Sequence, residues 1–375
     1  MINDDFLRER LEARAAAGNK RLLPSAIQGE DFVSNDYLGL ANNDHLIQRI
    51  DARWQLHAPK QVGGTGSRLL SGNHDLYEEL ESLLQTVFQA ESVLVFNSGY
   101  QANQALVASV ASRGERILYD ELSHVCLKEG AWLSKADSFS FRHNDLEDME
   151  RRLKQDTDKR TFVVTETLFS MDGDFAPIAE MLDLCEKYGA YLIVDEAHST
   201  GAYGAAGGGW LIEQGLADRV FARVYTFGKA MGAHGACIAG SSVLTEYLTN
   251  FARSFIYTTA MPPHAVLSLI ESFQFLGEHM GLQDELREVV KYYRETCEKV
   301  FDKASKSYSA IQPVWISGSD KALEASKQLQ ENGYQALAIR PPTVKAGTER
   351  LRISLHTFNS KASIDGLIGC LKEVM

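Results

Sequence analysis

The chain has 375 residues, 45% of them hydrophobic, with 50 acidic against 38 basic side chains and a formal net charge of −12. That is enough apolar chain for one large core plus a smaller unit, and it excludes a disordered polypeptide. The acidic balance, with no Lys/Arg-rich run, argues against nucleic-acid or anionic-membrane partners and leaves room for a small anionic ligand.

The first residues, Met1-Ile2-Asn3-Asp4-Asp5, are acidic and lack a basic-then-apolar leader, and no apolar run is long enough to span a bilayer, so a cytoplasmic location is expected. Cys126, Cys185, Cys237, Cys297 and Cys370 form no CxxC pair and the histidines no HExxH, so neither a disulfide framework nor a metal site is expected. Residues 5 to about 20 read as a charged amphipathic helix and residues 32–40 as an extended piece ending in a turn, which makes 1–45 an N-terminal arm. A glycine-rich loop, Gly63-Gly64-Thr65-Gly66-Ser67-Arg68, precedes a helical pattern over 75–84.

Within residues 46–280, short β-rich runs (92–96, 116–119, 138–141, 161–165, 191–194, 223–227 and 236–239) alternate with helical patterns such as 100–110 and 178–188. This predicts an α/β class, a large domain built on a mainly parallel sheet covered on both faces. A long helical segment from 263 to about 303 leads into a small C-terminal α+β domain, residues 281–375, with strands at 311–316, 336–339 and 351–355 and helices at 322–330 and 363–374.

Ligands in such sheets bind at the carboxyl ends of the strands, and these ends carry the chemistry. The run 92–96 leads into Asn97-Ser98-Gly99-Tyr100, where small residues opening a helix leave backbone N–H groups for a phosphate; a plain N-cap by Asn97 or Ser98 is the alternative. His124 follows 116–119, able to lie flat on an aromatic ring. Ser170, in Phe169-Ser170-Met171-Asp172-Gly173-Asp174, follows 161–165. The run 191–194 ends in Asp195-Glu196-Ala197-His198. An acid there fits either a helicase-type NTPase or a carboxylate holding a pyridinium nitrogen protonated. The matching P-loop is absent, because Lys229 is followed by Ala230 and Val224 stands where its first glycine belongs. His198 is either satisfied by backbone groups or bonded to a ring oxygen. Lys229, in Thr226-Phe227-Gly228-Lys229-Ala230-Met231-Gly232, is by itself either solvated beside a turn or an imine-forming amine; Gly228, Ala230 and Gly232 would leave room for a cofactor. Together these strand ends describe one site for a phosphorylated, carbonyl-bearing aromatic cofactor.

Ser98-Gly99-Tyr100, His124, the segment 169–174, Asp195-Glu196-Ala197-His198 and Thr226-Phe227-Gly228-Lys229 stand in an order and spacing that resembles the α-oxoamine synthases. These enzymes use pyridoxal 5′-phosphate (PLP) and have the PLP-dependent transferase fold type I, the aspartate-aminotransferase-like fold. The resemblance spans essentially the whole chain. It implies that Lys229 carries the cofactor as a Schiff base, Asp195 pairs with the pyridine nitrogen, His124 stacks on the ring, and Ser170 and His198 bond the ring oxygen. Ser98, Gly99, Tyr100 and Thr226 would bind the phosphate. Thr258 and Thr259 would reach the phosphate of a partner subunit, which implies a homodimer with shared active sites.

The segment Ala338-Ile339-Arg340-Pro341-Pro342-Thr343-Val344, followed by Gly347-Thr348-Glu349-Arg350-Leu351-Arg352, is similar to the branch that condenses L-alanine with a pimeloyl thioester to give 8-amino-7-oxononanoate in biotin synthesis. Lys345 replaces the proline usual there. The resemblance implies Arg21, Asn35, Thr343 and Arg352 as substrate contacts, and a guanidinium at Arg352 can grip an amino-acid carboxylate bidentately. A sister synthase using glycine or serine, and a non-catalytic scaffold subunit, are the alternatives; the presence of Lys229 speaks against the latter.

Overall fold

The computed structural model describes residues 4–16, 18, 20, 21, 23, 28–301 and 306–375. Seven strands form the central sheet: β1 (Ser92–Phe96), β2 (Arg116–Asp120), β3 (Asp137–Phe141), β4 (Thr161–Glu166), β5 (Tyr191–Asp195), β6 (Ala222–Thr226) and β7 (Ala236–Gly240). Their order is β1-β7-β6-β5-β4-β2-β3. β7 runs antiparallel to both its neighbours, and the other pairings are parallel.

The strands are apolar on both faces because both faces are covered. Phe162, Val164 and Ile193 meet Leu106, Leu127 and Ala131 of the helices Gly99–Val110 and Val125–Ser134. On the opposite face Val163, Leu192 and Val194 meet Ile178, Met181 and Leu182 of the helix Ile178–Tyr188. Each strand except the antiparallel β7 delivers its last residue to one rim, where the loops gather.

Three strands form a second, antiparallel sheet: β8 (Ile311–Trp315), β9 (Leu337–Ile339) and β10 (Arg350–Ser354), with β10 in the middle. Helices Ser319–Glu331 and Lys361–Val374 accompany it. The segment from residue 30 is built into this part. Glu30–Asp31 pairs in parallel with Tyr334–Gln335, the Ser354 amide donates to the Phe32 carbonyl at 2.9 Å, and Phe32, Tyr37, Leu38 and Leu40 are fully buried.

Two helical expectations need correction. The helix Asp5–Ala16 forms but buries none of its residues, so it is not amphipathic against this chain; Phe6, Leu7 and Leu11 are all exposed. The long helix expected from 263 is two, Pro263–Glu278 and Gly281–Phe301, divided at His279 and Met280, and its expected end at Lys303 lies outside the described residues. The His279 amide turns back to the Leu276 carbonyl at 3.1 Å, a 3₁₀-type closure that ends the first helix, and Gly281 opens the second.

Candidate active site

At the carboxyl rim of the sheet a cavity of about 260 Å³ is lined by Ser98, Asn103, His124, Asp195, Thr226 and Lys229, among others. A second cavity of about 290 Å³ adjoins it and shares His124, Ser170, His198 and Lys229, but is closed on its far side by Asn35 and Arg352. Lys229 therefore stands between two chambers. One is bounded by the large sheet and the other by the small domain.

Ser98 caps the helix Gly99–Val110, accepting the Gln101 amide, which leaves the first-turn amides of Gly99 and Tyr100 without intrahelical partners. A Cβ on Gly99 would lie 2.3 Å from Thr226 Cγ2, so glycine alone lets this helix end sit flush against the β6 terminus. Tyr100 turns its ring edge toward His124, centroids 6.0 Å apart, and its hydroxyl donates to Glu129, which raises it to about 12.

Asp195 is buried at the end of β5; Asn103 Nδ2 donates to its Oδ2 at 2.7 Å and the Ala197 amide to its Oδ1 at 2.9 Å. Among the described residues no cation comes within ion-pair distance of it. Burial pushes its carboxyl up from the usual range, and Lys229 and Asn103 oppose that only in part. Burial likewise lowers Lys229, against the attraction of Asp195 and Glu166, and no hydrogen bond holds its ammonium among the described residues. The cavity thus offers a carboxylate short of a cation, an amine easily deprotonated, and a helix N-terminus open to an anion. These three features fit the pyridinium, aldehyde and phosphate of PLP.

His124 caps the next helix, its Nδ1 accepting the Cys126 amide at 3.3 Å, so this nitrogen carries no proton and the ring is the neutral Nε2–H form. Burial and the nearby lysines keep it neutral. His198 is held through Nδ1 by Tyr37 Oη at 2.7 Å, and burial, then the charges of Lys229 and Arg352, drive it well below the ordinary histidine range. Ser170 lines both cavities. Thr226 Oγ1 donates to the Ala197 carbonyl at 3.4 Å.

On the small-domain side, Arg352 is buried and donates from Nε to the Ser170 carbonyl at 2.6 Å, from Nη1 to Ser354 Oγ at 2.7 Å, and from Nη2 to Asn35 Oδ1 at 2.8 Å. Every one of these acceptors is neutral. Arg21 and Thr343 are exposed and line neither chamber; the Thr343 amide closes a turn onto Arg340 at 2.9 Å. Thr258 and Thr259 lie outside the cavity lining as well, bonded to Asn97 Nδ2 through Oγ1 at 3.2 Å and the carbonyl at 2.7 Å respectively.

The profile of the aminotransferase class I and II family matches residues 28–367. The chain is 40% identical over 344 residues to the 8-amino-7-oxononanoate synthase of Methylobacillus flagellatus, covering 92% of this chain and 86% of that protein. The chain belongs to the α-oxoamine synthases, within the class I and II aminotransferase family. Its fold matches a solved serine palmitoyltransferase of S. paucimobilis with PLP and myriocin bound, at TM-score 0.88 and 26% identity over 99% of this chain and 96% of that one. It also matches an 8-amino-7-oxononanoate synthase of Francisella tularensis at TM-score 0.78 and 25% identity, over 92% and 97% of the two chains. This α-oxoamine synthase is accordingly a fold type I acyltransferase, and PLP is its cofactor.

Three residues of this synthase's site escaped the sequence reading: Asn103, Tyr37 and Glu166. Asn103 sits one helical turn past Gly99, the spacing that brings it under the same face, and Glu166 ends β4 as Asp195 ends β5; both signals were present. Tyr37 carried none, because its role depends on the segment near residue 30 folding across the small domain. The expected reason for Gly232 also changes. It has φ +61° and a Cβ there would meet Ala41 N at 2.3 Å, so it admits the backbone of residues 40–41 rather than the cofactor, while a Cβ on Gly228, in the cavity lining, would make only an ordinary contact with the Ala233 carbonyl oxygen at 3.7 Å.

Proposed function

We propose that this protein catalyses the decarboxylative condensation of L-alanine with a pimeloyl thioester, carried on CoA or an acyl carrier protein, to 8-amino-7-oxononanoate. The observation that carries the reading is Arg352. It is a buried guanidinium with no acidic partner among the described residues, facing the chamber that Lys229 shares with the cofactor cavity. A buried cation with neutral partners favours an anion, and an amino-acid carboxylate matches its fork. The relatives named 8-amino-7-oxononanoate synthase support alanine and the pimeloyl group as the substrate pair.

PLP, when bound, supplies an electron sink for the carbanion formed at the amino-acid α-carbon. The protein's part is placement and proton handling. Asn103 and the Ala197 amide fix the Asp195 carboxylate so that it keeps the pyridine nitrogen protonated. Lys229 would hold the cofactor's aldehyde and would serve as the base at the amino-acid α-carbon, with its lowered proton affinity suited to that task. His198, neutral and held by Tyr37, offers Nε2 toward the ring oxygen, and His124 offers Nε2–H from one wall. Ser98, Gly99, Tyr100 and Thr226 are assigned to the phosphate, Ser170 to the ring oxygen, and Asn35 to the substrate carboxylate beside Arg352.

Arg21 and Thr343 would contribute only after movement toward the chamber. Thr258 and Thr259 would serve a partner's cavity in a homodimer. Domain limits near residues 45 and 280 follow from the same reading, as does a cytoplasmic location; among the described residues no helix is long and apolar enough to cross a membrane.

The runner-up is a serine- or glycine-using sister synthase, favoured by the fold match to serine palmitoyltransferase. Turnover across alanine, glycine and serine against short, dicarboxylic and long acyl-CoAs separates the two. Dominant turnover of serine with palmitoyl-CoA would sink the alanine and pimeloyl assignment.

A further inference from the structure

Glu166 ends β4 in register with Asp195 at the end of β5, so two carboxylates stand side by side on neighbouring strands and line the same cavity. It is 3% exposed. Its Oε1 accepts the backbone N–H of His124 at 2.6 Å, and among the described residues no lysine or arginine forms an ion pair with it. The groups facing it are Asp195 from β5, Lys229 beyond β6, Asp120 from β2, and His124, Cys126 and Lys128 from the start of the helix Val125–Ser134.

We propose that Glu166 works as a neutral carboxyl, a positioning residue that anchors His124 on the cavity wall and leaves Asp195 as the one carboxylate facing the cofactor. Two adjacent buried carboxylates that share one nearby lysine cannot both ionise cheaply, and the one with fewer hydrogen-bond donors keeps its proton. Asp195 is the better charged partner, because Asn103 and the Ala197 amide both donate to it and the cofactor's pyridinium adds a full positive charge. The backbone N–H of His124 is satisfied by either form of Glu166, so anchoring does not require the charge. Burial, and next the charge of Asp195, raise Glu166 to about 8, in the same direction as the geometric argument. A second carboxylate charge here would also compete with Asp195 for the pyridinium and for Lys229.

The test uses the PLP-loaded holoenzyme, and its spectral readouts do not depend on which acyl thioester is the substrate. Glu166→Gln keeps an oxygen for the His124 amide and cannot ionise; Glu166→Ala removes the anchor. At pH 7, Glu166→Ala is expected to lose about tenfold in kcat, and Glu166→Gln clearly less, because it keeps the anchor for the His124 amide. The wild type is expected to show an alkaline step around pH 8 in kcat and cofactor absorbance that Glu166→Gln lacks. A Glu166→Gln protein as impaired as Glu166→Ala, or one that retains the alkaline step unchanged, overturns the inference. Infrared difference spectra of the wild-type minus the Glu166→Gln holoenzyme read the proton directly: a protonated-carboxyl band at pH 6.5 that Glu166→Gln lacks supports a neutral Glu166, and no such band contradicts it.

Discussion

Asn103 reaches across from the helix Gly99–Val110 to donate its Nδ2–H to Asp195 Oδ2 at 2.7 Å, tying the helix that opens on the phosphate end of the cavity to the acid at its other end. The two ends of the cavity are therefore linked by one rigid helix rather than by two loops. Asn103→Ala leaves Asp195 buried with one donor fewer. A hydrogen bond to a charged group is worth about 1.5–3 kcal/mol, so PLP affinity is expected to fall about 10- to 100-fold, read by absorbance titration of apoenzyme with PLP. Unchanged affinity would mean that Asp195 is positioned by its strand alone.

Tyr37 links His198, through Nδ1 at 2.7 Å, to Arg352, whose Nη2 lies 3.4 Å from the same hydroxyl. Tyr37→Phe keeps the ring in the core and removes the hydroxyl's bonds to His198, Arg352 and Asn35. We expect kcat/KM for the amino acid to drop about 3- to 10-fold with thermal stability little changed, since one neutral hydrogen bond contributes about 1 kcal/mol. Steady-state kinetics beside a melting curve distinguish this from a general loss of folding.

Arg350 clamps the loop that carries Ser170. Its Nη1 bonds Asp172 Oδ1 at 2.6 Å and its guanidinium carbon lies 3.8 Å from the Trp315 ring centroid. The arginine is buried while the Asp172 side chain is 22% exposed, so the pair is only partly desolvated. Asp172→Ala strands the buried charge and is expected to cost about 3 kcal/mol in urea unfolding, at the lower end for broken buried pairs. A change below about 0.5 kcal/mol would show the pair to be solvent-screened.

His143 bridges the same loop to the sheet, with Nδ1 at 3.0 Å from Asp120 Oδ1 and Nε2 at 2.9 Å from Asp174 Oδ2. Burial disfavours its charge, but hydrogen bonds to both aspartates outweigh that and raise it to about 10 from an ordinary 6.5. A folded-state value above the unfolded one contributes stability that is fully present below pH 6.5 and is lost as pH rises through 10. Wild-type melting temperature should therefore decline between pH 7 and 10, with a slope of up to about 1.4 kcal/mol per pH unit from this group, and His143→Gln should flatten that decline. Equal slopes in the two proteins would remove His143 from the account.

The strand ends were legible in the sequence because most of the buried strands are short apolar runs with a polar residue at or within a few positions of the end. That pattern located His124, Ser170, Asp195 and Lys229 on one rim without any tertiary information. What stayed hidden depends on contacts far apart in the chain. Tyr37 meets His198, Arg352 meets Ser170, and the segment around residue 30 is stitched into the small domain, none of which local periodicity encodes. The helix at Asp5–Ala16 shows the converse: its charged, Ala-rich composition favours helix, and among the described residues its apolar side chains Phe6, Leu7 and Leu11 stay exposed.

The central claim is that the chamber between Lys229 and Arg352 joins an amino acid to an acyl thioester. Mass-spectrometric analysis of the product formed by PLP-loaded protein with L-alanine and pimeloyl-CoA, run beside Lys229→Ala and Arg352→Ala, tests it most directly. The account predicts 8-amino-7-oxononanoate and carbon dioxide from the wild type, none from Lys229→Ala, and a KM for alanine raised at least about tenfold in Arg352→Ala. No product from alanine with either pimeloyl-CoA or the pimeloyl carrier protein, together with turnover of serine and palmitoyl-CoA, would contradict it.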